Sequence, residues 1–127
     1  MAPTQRIVTG VNSVEDLEKI LEEQDSRLVI AKFGAEWCQP CKQLQPHIDL
    51  LVQDLEENAR DALFVSIEKT DDNEELFDHY QIKKLPTVIL FQASEQKHIL
   101  PRPDAEQLRK EVYSALPLPA LVLDDDF

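Results

Sequence analysis

Leu28-Val29-Ile30-Ala31-Lys32-Phe33 is an apolar run broken only by Lys32, and Cys38-Gln39-Pro40-Cys41 follows it across a short loop. Beyond the second cysteine, Leu44, Ile48, Leu51, Val52 and Leu55 recur at helical spacing. A buried strand, a loop and a helix opening on two thiols restrict this chain more than any other feature. Cys38 and Cys41 are the only cysteines among the 127 residues. A disulfide framework for a small secreted domain needs more cysteines at wider spacing, so the two read as one dithiol/disulfide couple. The flanking Trp37 and the internal Pro40 sharpen that reading.

The length fits one domain, and a hydrophobic fraction of 43% suffices for a core. A formal net charge of −12 argues against binding to nucleic acid or to an anionic membrane, both of which need a basic face. No stretch approaches the roughly 20 apolar residues of a membrane span. Met1 to Gly10 lacks the basic-then-apolar layout of a signal peptide. A cytoplasmic, reducing location is therefore expected, and a lone Cys-x-x-Cys pair there is catalytic more often than structural.

The chain divides into alternating elements. Arg6 to Thr9 is a weak strand, and Ser13-Val14-Glu15-Asp16 opens a helix in the manner of a capping box. The strand from Leu28 to Phe33, a helix from Cys41 to about Glu57 containing Pro46, and a strand from Ala62 to Ile67 come next. A helix opened by Asp71-Asp72-Asn73 runs to about Tyr80. Thr87 to Phe91 and Lys97 to Leu100 are strands joined by a polar turn, and a helix from Asp104 to Leu116 closes the domain. The order β-α-β-α-β-α-β-β-α implies parallel crossovers early and an antiparallel hairpin late. The expected fold is α/β, a mixed central sheet flanked by helices on both faces, over residues 1–116. Residues 117–127 form an apolar and acidic tail in which Pro117 and Pro119 stop the helix.

In these features the chain resembles the thioredoxin family. The likeness rests on Phe33-Gly34-Ala35-Glu36-Trp37-Cys38-Gln39-Pro40-Cys41-Lys42, on Pro46, on Asp71, Asn73, Tyr80 and Ile82, and on Leu85-Pro86-Thr87 entering a strand that ends at Phe91. It implies a thioredoxin fold, a redox-active dithiol, and a cis Pro86 against that dithiol. Local sequence shows only a Leu-Pro step, for which trans is the default. Three positions depart from the family pattern. Lys32 stands where the family usually buries an acid beneath the dithiol, and Gln39 replaces the usual glycine between cysteine and proline. Leu100-Pro101-Arg102-Pro103 lacks the glycine that lets a substrate backbone approach.

At the N-terminus of the second helix, free N–H groups and the helix dipole stabilise a Cys38 thiolate, making Cys38 the attacking thiol. Cys41, one turn in, is the resolving thiol. Trp37, Gln39, Pro40, Leu85 and Pro86 are candidate substrate contacts. Lys32 shares a strand face with Ile30 and Leu28, the face that lies under the active-site helix in the family. Charged, it would favour both thiolates; neutral, it would accept the Cys41 proton; or it bends to the surface and does neither. Lys42, Lys83 and Lys84 form a basic rim. Zinc would need four ligands, and His47 lies on another helical face from Cys41, so no metal and no organic cofactor is expected. The expected activity is protein-disulfide oxidoreduction with electrons from a reductase or another thiol system. The alternative from a different class is a thioredoxin-fold subunit or adaptor of a larger assembly, of which thioredoxin-like dynein light chains are a family example.

Overall fold

The computed structural model describes residues 7–24 and 26–116. Five strands, β1 (Ile7–Val8), β2 (Leu28–Gly34), β3 (Ala62–Glu68), β4 (Thr87–Gln92) and β5 (Glu95–Pro101), form one sheet in the order β1-β3-β2-β4-β5. β1 and β2 run parallel to β3, while β4 is antiparallel to both β2 and β5. The sheet is thus mixed, as the sequence implied. β2 is the central strand, and all seven of its residues are buried. An apolar run on both faces is what a central strand covered by helices on each side requires.

Four helices provide that cover: α1 (Val14–Gln24), α2 (Gln39–Glu57), α3 (Glu74–His79) and α4 (Ala105–Ala115). Alternation along β2 divides the core in two. Leu28 and Ile30 pack with Leu44, Ile48, Leu51 and Leu55 of α2 and Leu108 and Val112 of α4. Val29, Ala31 and Phe33 pack with Leu17 and Leu21 of α1 and Leu76 and Phe77 of α3. Lys32 falls on the α2 face of the strand, the face assigned to it above.

The element boundaries move for local reasons. α1 is capped by Ser13, whose Oγ accepts from Asp16 N at 3.0 Å, and the Asp16 carboxylate reaches back to Asn12 N rather than to Ser13. α2 begins at Gln39, ahead of the expected Cys41, because Cys38 itself serves as the N-cap. The third helix begins at Glu74, not at Asp71. Asn73 is buried and holds the preceding loop, accepting from Thr70 N and donating to the Glu68 carbonyl, each at 2.8 Å. β5 begins at Glu95, ahead of the expected Lys97. Ala93 and Ser94 adopt φ of 54° and 65°, the tight two-residue turn that joins antiparallel strands. The exposed, polar Glu95 and Gln96 concealed only the start of the edge strand in the sequence. The first strand is Ile7–Val8; Arg6 and the tail 117–127 lie outside the described residues.

Candidate functional site

The site is assembled where β2 ends and α2 begins. Cys38 has extended backbone angles (φ −93°, ψ 112°), as an N-cap does, and its Sγ accepts from Cys41 N at 3.2 Å. That is one of the helix-terminal N–H groups that would hold a thiolate. Pro40 occupies the first turn, where no intrahelical donor is lost. Cys38 and Cys41 are joined as a disulfide, with Cα atoms 5.3 Å apart. Both sulfurs sit in a small apolar pocket with Ala35 and Leu85.

The two cysteines open on different clefts. Cys41 lines an inner cleft of about 450 Å³ with Lys32, Gln45 and Glu68. Lys32 is buried, and its ammonium donates to Gln45 Oε1 at 2.6 Å; Gln45 Nε2 in turn donates to Asp49 Oδ1 at 3.0 Å. Burial pushes the Lys32 ammonium below the ordinary lysine value, against the opposing pull of the Glu68 and Asp49 carboxylates. Gly34 brings the lysine and the dithiol together. A Cβ at Gly34 would meet Cys41 Sγ and Lys32 Cε, each at 3.1 Å, so only a residue without a side chain leaves both their places. The Lys32 side chain therefore stays beneath the helix rather than bending to the surface.

Cys38 lines an outer cleft of about 640 Å³ with Trp37, Gln39, Pro40 and Leu85. Trp37 is 71% exposed, an apolar plate on the surface rather than a core residue. The Leu85-Pro86 bond is cis. Leu85 packs against the dithiol, while Pro86 lines a neighbouring groove with Pro40 and His47. The basic rim divides between the two clefts: Lys42 belongs to the inner one, and Lys83 and Lys84 to the outer. Lys69, not singled out from sequence, and Arg102, noted there only as part of the loop that lacks a glycine, complete the outer cleft. Gln45 and Asp49 were also missed, though they follow Cys41 at successive spacings of four on α2 and so share its face. Among the described residues no cluster of three or more His, Cys, Asp or Glu side chains could hold a metal ion.

A mixed sheet sandwiched by helices, with Cys38 capping the second helix, Cys41 bonded to it, and a cis Leu85-Pro86 step whose leucine packs on the pair, defines a thioredoxin-fold redox protein. The family model for thioredoxin matches residues 8–114, and the chain belongs to the thioredoxin family. It is 39% identical over 88 residues to a thioredoxin of Rickettsia typhi, covering 68% of this chain and 80% of that one. The reduced thioredoxin pre-protein of Schistosoma mansoni superposes with a TM-score of 0.71 at 28% identity, covering 86% of this chain and 97% of the other. A ferredoxin:thioredoxin reductase and thioredoxin f2 complex also matches, with a TM-score of 0.76 at 16% identity, over 87% of this chain and 94% of the matched one; this likeness is one of fold. Family and paired cysteines together make the chain a thiol–disulfide oxidoreductase by class. No described helix is long and apolar enough to cross a membrane.

Proposed function

We propose that the protein reduces disulfides of other proteins through Cys38 and Cys41, working in the reducing cytoplasm. The observation that carries this reading is the division of labour between the clefts. Cys38 opens on the outer cleft, where Trp37, Pro40 and Leu85 give a substrate chain apolar surface to lie on and Gln39 offers an amide, with Pro86 at its neighbouring edge. Cys41 opens inward on Lys32.

The Cys38 thiolate attacks one sulfur of the substrate disulfide. The substrate S–S bond breaks, the mixed disulfide forms, and the departing sulfur takes up a proton. Cys41, as a thiolate, then attacks Cys38 Sγ. The Cys38–Cys41 bond forms and the second substrate thiol leaves, so two electrons pass from the dithiol to the substrate. Lys32 acts on the second step. As a cation in a low-dielectric pocket beside the Cys41 sulfur, it favours the thiolate of the resolving thiol. A thiol-linked reductase returns the dithiol to its reduced form. The thioredoxin f2 solved with ferredoxin:thioredoxin reductase offers a precedent within the fold for such a partner.

Cys41→Ser tests the assignment. Incubated with a disulfide-bearing protein such as insulin, it accumulates a mixed disulfide at Cys38, whereas Cys38→Ser neither forms an adduct nor turns over. Adducts at Cys41 alone would reverse the roles, and a wild-type chain without turnover would remove the activity.

A further inference from the structure

The outer cleft carries charge of the wrong sign for this protein. The chain has 25 acidic and 13 basic residues, yet Lys69, Lys83, Lys84 and Arg102 all line the cleft beside Cys38 and no carboxylate does. None of the four forms an ion pair among the described residues. Four unpaired like charges repel one another, a cost that an anionic ligand would relieve.

The cations come from three separate segments, and two of them are held in place. Lys69 N donates to the Gly34 carbonyl at 2.8 Å, tying the end of β3 to the end of β2, and Lys69 Nζ sits 5.8 Å from the centre of the Phe77 ring. Lys83 and Lys84 immediately precede the cis Leu85-Pro86 step. Arg102 is the most constrained. Its backbone takes a left-handed φ of 48°, unusual for a residue with a side chain. Its N donates to the Pro86 carbonyl at 2.7 Å and its Nε to the Leu85 carbonyl at 3.0 Å. The guanidinium is thereby clamped over the cis-proline loop. Its two remaining nitrogens make no hydrogen bond among the described residues, and they are the fork that a carboxylate fits.

We propose that this cleft is a subsite for an aspartate or glutamate side chain of the substrate polypeptide, placed a few residues from the cysteine that Cys38 attacks, with Arg102 as its main reader. The inference deepens the oxidoreductase reading and rests on it. The long-range field of a protein of charge −12 repels acidic peptides, so a preference for them has to arise locally, at contact distance. Arg102 fills the loop in which the family usually keeps a glycine, and the docking region thereby gains a charge-specific contact.

The test uses two disulfide-bonded peptides differing only in Asp and Glu against Asn and Gln beside the cysteines. Each is also made with serine in place of cysteine, as a ligand that cannot react. The full chain has a single tryptophan, Trp37, in the wall of the cleft, so its emission reports occupancy independently of turnover. The acidic peptide is expected to show a kcat/KM about fivefold higher, carried in KM, with a matching preference in binding. That preference collapses in about 0.5 M salt, where the Debye length falls to a few ångströms. It also falls toward unity in Arg102→Gln and in Lys84→Gln. Equal reduction and equal binding of both peptides would overturn the subsite while leaving the oxidoreductase standing. A preference that survives in both variants would overturn it too. If neither disulfide is reduced but the acidic serine peptide still binds preferentially, the subsite stands and the catalytic reading falls.

Discussion

The Lys32 ammonium donates a 2.6 Å hydrogen bond to Gln45 Oε1, joining the central strand to the active-site helix directly beneath the dithiol. A charged group in the core requires a partner, and here the partner is neutral. The amide passes polarity on to Asp49 at the surface, while Glu68 lines the same inner cleft without a hydrogen bond to the ammonium. Where the thioredoxin pattern buries an acid under the disulfide, this chain buries a lysine.

That inversion sets the first prediction. A positive charge beside Cys41 favours the ionised, reduced pair, which makes the couple more oxidising. Lys32→Asp places the family's acid at the same position and should lower the reduction potential by at least about 30 mV, equivalent to about 1.4 kcal/mol for two electrons. Equilibration in a glutathione redox buffer measures it. A potential that stays put or rises would show that Lys32 is not coupled to the thiols.

The second prediction concerns pH. The Lys32 pKa lies below its ordinary value because burial penalises the charged form. Wherever both states are protonated, the unfolded chain carries this charge in water and the native state carries it in the core, so the lysine destabilises the fold. As pH rises through the lowered native value toward 10.5, the native state sheds its proton first and the penalty fades. Lys32→Met should therefore stabilise the protein at pH 7, on the order of 1 kcal/mol, as apolar replacements of buried charges do. The gain should shrink by pH 10. Urea melts of both chains at the two pH values decide it, and a gain that holds or grows at pH 10 contradicts the argument.

Much of this was readable beforehand because it is local. The order of nine elements follows from apolar periodicity, and the dithiol's place follows from an apolar strand running into a cysteine-capped helix. The start of the edge strand β5 blurred because Glu95 and Gln96 are exposed and polar. The outer cleft was only half visible. Lys83 and Lys84 adjoin the Leu85-Pro86 step in sequence, but Lys69 and Arg102 reach the cleft through the β2–β3 register and the β4–β5 hairpin, pairings that no short window contains. Lys32 was conspicuous as the one charge in a buried strand. Its partner Gln45 was not, because a glutamine on a helix is ordinary until the facing strand is known.

Gly34→Ala is the third test. The added methyl would lie 3.1 Å from Cys41 Sγ and from Lys32 Cε. The lysine stem can yield, but the sulfur is held by its disulfide and by the first turn of α2. The substitution should cost about 1 kcal/mol, at the low end for overpacking a core. It should also shift the redox potential, because it separates the two groups that Gly34 lets approach. Loss of stability with an unchanged potential would assign Gly34 to packing alone.

The last prediction concerns residues 117–127, which we propose add little to folding. α4 is already complete at its C-terminus: Leu116 is buried among Leu108 and Val112, and its N–H donates to the Val112 carbonyl at 3.1 Å. Pro117 and Pro119 cannot extend the helix, and Asp124-Asp125-Asp126 is poorly suited to burial. Leu118, Leu121, Val122 and Leu123 are nevertheless too apolar for a mere spacer, and two uses follow for them: packing back on the domain or occupying a partner's groove. Truncation after Leu116 should leave the urea midpoint nearly unchanged. A loss above about 2 kcal/mol, the scale of one buried apolar side chain, would place the tail in the fold. If stability holds while a stoichiometric companion disappears from native purifications, the tail docks the domain into an assembly, and the disulfide chemistry then acts within that assembly.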